Sequence, residues 1–79
     1  MNNIEKYNNI FASVFNVNVE VLNSDFNIES VDNWDSITQL TLVTELEDEF
    51  DIMFDTEDIL EFKSYDKGKG IIGKYDIAL

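Results

Sequence analysis

One segment constrains the fold of this chain more than any other. Stepped at about 100° per residue, Ile37, Leu40, Leu42, Val43, Leu46 and Phe50 gather on one side of a helix running from Ser36 to about Asp51. Thr38, Thr41, Glu45, Asp48 and Glu49 gather on the other side. Such a helix cannot hold its shape alone in water and needs other apolar stripes to pack against.

The flanking sequence supplies them at the same helical period. Ile4, Tyr7, Phe11, Val14 and Phe15 predict a first amphipathic helix over residues 3 to 16, with Asn2 and Glu5 in capping-box spacing. Ser36 and Gln39 stand in the same spacing, which makes Ser36 the expected cap of the central helix. After the connector Ile52-Met53-Phe54, Asp55 or Thr56 caps a brief third helix carrying Ile59, Leu60 and Phe62. Ser64 then caps a last helix with Ile71, Ile72, Tyr75 and Leu79 inward. Gly68, Gly70 and Gly73 each cost that helix roughly 1 kcal/mol relative to Ala. Between Asn16 and Asp35 the period breaks. That stretch reads as a long ordered loop with one short helical turn, pinned by Val19, Val21, Leu22, Phe26 and Ile28. The expectation is an all-α, four-helix bundle: three main helices, one short helix and a long first loop, with residues 1–79 forming a single domain, monomeric by default.

Composition removes whole classes of function. Zero His excludes imidazole-based nucleophilic machinery and the usual zinc sets, and zero Cys excludes disulfides and thiolate sites. Any reactive role for a serine therefore depends on chemistry brought by another protein, so no catalytic residue is assigned and the chain is not read as an enzyme. The net charge is −12, and between Tyr7 and Phe62 there are fourteen acids with no Lys or Arg. That field repels nucleic acid and anionic membranes and attracts basic protein surfaces. With no run of ~18 apolar residues and no leader-like N-terminus, the expected compartment is the cytoplasm.

Two motif matches carry no site. Gly68-Lys69-Gly70-Ile71-Ile72-Gly73 satisfies GxGxxG, but the six residues after it leave no room for the acidic residue of a dinucleotide unit. Asp25 to Ser36 has the length of a calcium loop, yet Ser30 stands where the Gly belongs and Ser36 where the terminal Glu belongs. No metal site is assigned.

Ser36 holds a more informative position. A helix N-terminus favours a phosphate through its free N–H groups and dipole, and the preceding loop can expose the hydroxyl to a modifying enzyme. The run Val31-Asp32-Asn33-Trp34-Asp35-Ser36-Ile37, leading into Leu40, Leu42, Val43 and Leu46-Glu47-Asp48-Glu49-Phe50, resembles the acyl carrier protein family. The likeness extends over length, acidity, helix order and the long first loop. It implies that Ser36 receives 4′-phosphopantetheine from coenzyme A through a separate phosphopantetheinyl transferase, with Asp35 flanking the attachment point. The arm's thiol would then carry acyl groups as thioesters between acyl-loading and acyl-processing enzymes of a fatty acid, polyketide or other specialised pathway.

The resemblance also implies a docking face for basic partner surfaces, made of Ile37, Thr38, Thr41, Glu45, Glu47, Asp48 and Glu49. It implies an acyl pocket between the second and third helices, drawn from Leu46, Phe50, Met53, Phe54 and Ile59. Departures narrow the family member. Thr38 and Thr41 stand where fatty-acid carriers often place acids, and Trp34 looks more like stand-alone carriers of specialised pathways. An aminoacyl or peptidyl carrier would use the same arm. The rival from another class is a non-covalent acidic helical interaction module in which Ser36 is simply a helix cap.

Overall fold

The computed structural model describes residues 2–79, and among them it contains four α-helices and no strand. Helix α1 spans Asn3–Phe15, α2 Ser36–Phe50, α3 Thr56–Glu61 and α4 Tyr65–Gly73, with a 3₁₀ turn at Val19–Val21 in the long loop. The fold is all-α, as the helical period predicts.

Local chemistry sets most helix ends. Asn2 accepts the Glu5 N–H at 2.9 Å and Ser64 accepts the Lys67 N–H at 2.9 Å, each satisfying a first-turn donor that the helix leaves open. Helix α1 stops at Phe15, one residue earlier than expected, because Asn16 turns into the left-handed region at φ 55°. Asp51 ends α2 in the same way at φ 54°. Asn and Asp tolerate that conformation better than bulkier residues do.

At α2 the structure corrects two expectations. The cap is Asp35, whose carboxylate accepts the Thr38 N–H at 2.9 Å, and Ser36 is the first helical residue. Ile37 and Leu40 are 75% and 61% exposed, so they do not belong to the buried stripe. The stripe is Leu42, Val43 and Leu46, with Phe50 half-buried behind them. On 100° steps Ile37 in fact falls nearly opposite the centre of that group, so the period does not place it in the stripe as expected above, and Gln39 falls inside it.

The core is built from aromatic rings. Phe11 lies with its ring centroid 4.9 to 6.1 Å from those of Tyr7, Phe15, Phe26, Trp34, Phe62 and Tyr65. These rings come from α1, the loop and the α3–α4 junction, so one residue joins most of the chain. Tyr7 is fully buried and donates its hydroxyl to the Tyr65 carbonyl at 2.6 Å. Burial, with Tyr65 and Asp66 nearby, pushes its ionisation far above the usual tyrosine range, so it remains a donor.

The long loop is ordered by two devices. Phe26 and Trp34 are buried in the aromatic cluster, whereas Val19, Val21 and Ile28, expected as pins, are exposed. Ile28 N–H donates to the Lys63 carbonyl at 2.8 Å and Tyr65 N–H donates to the Phe26 carbonyl at 2.9 Å, stitching the loop to the α3–α4 junction. Asn27 accepts the N–H groups of Glu29 and Ser30 and so closes the turn between these stitches.

Helix α4 contains the GxGxxG run within its own hydrogen-bonded backbone, and Gly68 has a packing role there. A Cβ at Gly68 would stand 2.3 Å from both the Phe62 ring and the Tyr7 hydroxyl, while one at Gly70 would meet nothing within 4 Å. The uniform glycine cost expected from sequence therefore splits in two. Gly68→Ala should lose about 1–3 kcal/mol through overpacking, and Gly70→Ala should gain about 0.5–1 kcal/mol from helix propensity. Urea melts of both variants read the difference directly, and equal shifts of one sign would refute it.

Candidate phosphopantetheine attachment site

The site begins with how the loop hands the chain to α2. Trp34 is buried against Phe11, Phe15 and Phe26, so it anchors the loop and does not present its face to a partner. Its indole N–H donates to the side-chain oxygen of Gln39. The Gln39 amide nitrogen donates in turn to the carbonyls of Ile59 at 3.0 Å and Phe62 at 2.8 Å. Those carbonyls belong to the end of α3, where the helix runs out of N–H donors and Ile59 accepts only a long bond from the Phe62 N–H at 3.3 Å. Gln39 thus ties loop, α2 and α3 together through both of its amide donors and its amide oxygen. Sequence reasoning placed Gln39 in a capping box and missed this role.

Asp35 and Ser36 then emerge at the surface, both exposed. The Asp35 carboxyl is held below its ordinary range, first by the Thr38 backbone N–H and next by the Thr38 hydroxyl. It stays ionised and committed to the cap. Ser36 is consequently free of the capping duty that would have engaged its hydroxyl, and it sits where the helix dipole favours negative charge. Beside it opens a groove of about 250 Å³ lined by Ile28, Trp34, Gln39, Ile59, Leu60 and Phe62, with Asp35, Ser36 and Lys63 at its edges.

The other residues singled out from sequence divide among several places. Of the five expected to form a pocket, Ile59 lines the groove beside Ser36. Leu46 and Phe54 are buried in the core, Phe50 is half-buried, and Met53 is 82% exposed. Along α2, Ile37 and Thr41 are exposed and Thr38 is half-exposed; the Thr41 hydroxyl turns back to the Ile37 carbonyl at 3.1 Å. Glu45, Asp48 and Glu49 line a surface hollow with Ile10, whereas Glu47 turns inward and accepts the Phe54 N–H at 2.8 Å. The acids beyond the first turns of α2 are therefore not equivalent: three face solvent and one holds the α2–α3 connector.

Helix α3, which supplies Ile59 and Leu60 to the groove, is held from behind by a buried carboxylate. Asp58 is 4% exposed and accepts hydrogen bonds from Lys74 and, at 2.6 Å, from the Tyr75 hydroxyl. The Tyr75 oxygen also accepts the Asp55 N–H at 2.9 Å. Lys74 first, then Tyr75, holds the Asp58 carboxyl below its ordinary range, and Asp58 raises Lys74 in return. The depressed carboxylate contributes stability above its unfolded value, about 4, and loses it as pH falls through the lower folded value. The raised ammonium contributes below about 10.4 and loses it as pH rises through its folded value. Thermal melts from pH 7 to about 2 should show this acid limb in the parent protein. Asp58→Asn should melt lower at neutral pH and show a flatter limb; an unchanged acid limb would contradict the assignment.

The family model for the phosphopantetheine attachment site matches residues 8–67, well over half of the chain. The chain belongs to this family. Domains of the family carry 4′-phosphopantetheine covalently, and they are typically carriers without catalysis of their own. Phosphopantetheine-attachment domains work with phosphopantetheinyl transferases and acyl-processing enzymes. A search of curated proteins returned no match to the chain. The residues present fit the group: an exposed serine in the first turn of a helix, a hydroxyl relieved of capping by its neighbour, and an apolar groove alongside. Among the described residues, no helix is long and apolar enough to cross a membrane.

Proposed function

We propose that these 79 residues act as one cytoplasmic carrier domain in which Ser36 bears 4′-phosphopantetheine and presents acyl thioesters to enzymes of a fatty acid, polyketide or other specialised acyl pathway. The observation that supports this reading best is the division of labour at the start of α2. Asp35 caps the helix, and Ser36 stands exposed beside an apolar groove with its hydroxyl available. When bound, the group supplies a terminal thiol that holds acyl groups as thioesters, a function for which the chain has no Cys.

Ser36 would supply the oxygen for attachment: its O–P bond forms as the pyrophosphate P–O bond of coenzyme A breaks, and adenosine 3′,5′-bisphosphate leaves. With no His in the chain and the Asp35 carboxylate engaged by Thr38, the base that takes the Ser36 proton must come from the transferase. Asp35 fixes the turn that presents Ser36. Ile37, Thr38 and Thr41 form the near part of the docking face, with Glu45, Asp48 and Glu49 further along α2 to meet basic partner surfaces and Glu47 behind them. Such charges act mainly on encounter and specificity. The interaction-module reading makes Ser36 a helix cap, and the Asp35–Thr38 bond argues against it.

The test is the intact mass after incubation with coenzyme A, Mg²⁺ and a broad-specificity phosphopantetheinyl transferase. A gain of one phosphopantetheine is expected, and no gain would end the proposal.

A further inference from the structure

We propose that Gln39 limits the cargo: it bolts α2 to α3 below Ser36, so that an acyl group lies in the shallow groove outside this bolt and chains longer than the groove gain no further shelter. The inference rests on the carrier reading and deepens it by naming a specificity-determining residue and a cargo size class.

The argument starts with the seam between α2 and α3. Anything passing inward from Ser36 between these helices meets the Gln39 side chain, which spans from the Trp34 indole to the carbonyls of Ile59 and Phe62. Displacing it would leave the Phe62 carbonyl and a buried indole N–H without partners, with the Ile59 carbonyl keeping only the Phe62 N–H, a cost that added methylenes must first overcome. Behind it stand Trp34, Leu42 and Phe62, all buried in the core.

The groove outside is of limited size. Its volume is about 250 Å³, and Ile28, Ile59 and Leu60 give it apolar walls. A dry apolar cavity of about 150 Å³ takes up benzene, so this groove fits an apolar group of roughly six to ten carbons. Methylenes beyond that extend into water.

The experiment loads the whole protein with butyryl-, octanoyl- and dodecanoyl-coenzyme A as transferase donors, confirms each product by intact mass, and then measures Tm and the ¹⁵N–¹H spectrum. The chain has a single Trp, so its indole N–H gives one signal that reports directly on the bond to Gln39. The proposal expects Tm to rise from the butyryl to the octanoyl form and then level off, with the indole signal unmoved by dodecanoyl. In Gln39→Ala the seam opens. The unloaded variant should melt lower, and its dodecanoyl form should melt above its octanoyl form by several degrees.

A dodecanoyl form of the parent protein that melts well above the octanoyl form and shifts the indole signal would overturn the proposal. That reading does not depend on whether Gln39→Ala folds. A failure of all three donors to add mass would instead overturn the carrier reading, and this inference with it.

Discussion

Phe11→Ala is expected to remove about 3–5 kcal/mol of stability. Phe11 is fully buried, and its ring stands against six others drawn from α1, the long loop and the α3–α4 junction. Truncating it opens a cavity at the meeting point of these elements, which the Tyr7–Tyr65 bond and the loop stitches hold apart, so the site can collapse only partly. A domain of this length has a total stability of roughly 4–12 kcal/mol, and the loss is a large part of that. Leu60→Ala provides the comparison. Leu60 is also large and apolar but 66% exposed, so its truncation should stay within about 0.5 kcal/mol of the parent. Urea melts followed by far-ultraviolet circular dichroism distinguish the two variants. Equal stability for them would mean that the aromatic cluster is not the centre of the fold.

How much of this was legible in the sequence follows from how local each feature is. Helix number, order and the caps at Asn2 and Ser64 depend on residues a few positions apart, and the helical period shows them. The start of α2 is harder, because Asp35 and Ser36 are adjacent and both cap well. The backbone decides between them: Asp35 is extended at φ −106° and ψ −176°, so the helix begins after it. No propensity resolves a one-residue choice of this kind.

Gln39 left a signal that was available. It falls angularly among Leu42, Val43, Leu46 and Phe50, and a polar side chain in an apolar stripe needs buried partners. Its actual partners, Trp34, Ile59 and Phe62, come from three segments and could not have been named in advance. Gly68 gave no such signal. Its need for a missing side chain comes from the Phe62 ring and from Tyr7, which lies at the other end of the chain. The exposed positions of Val19, Val21 and Ile28 were equally hidden, because a loop has no period by which to assign an inner face.

The second large effect concerns function and is all-or-none. Ser36→Ala should abolish attachment while leaving the fold intact. Because Asp35 carries the cap, the variant should remain within about 0.5 kcal/mol of the parent, as surface substitutions usually do. Had Ser36 been the cap, its loss would cost about 1 kcal/mol. Asp35→Asn keeps a capping side chain and should retain helix stability, whereas Asp35→Ala should melt lower. Together these variants separate the chemistry at Ser36 from the structural duty of its neighbour.

The chain also contains Ser13, Ser24, Ser30 and Ser64, so a mass gain by itself does not locate the phosphodiester. Ser64 is occupied as the cap of α4, and the Ser30 hydroxyl donates to the Asp25 carbonyl at 2.6 Å. The decisive measurement is therefore the intact mass of parent and Ser36→Ala after transferase treatment with coenzyme A, followed by fragmentation of the peptide containing Trp34 to Ile37. The account predicts one added phosphopantetheine in the parent, located on Ser36, and none in the variant. The same gain in Ser36→Ala, or a modified peptide elsewhere in the chain, would contradict it.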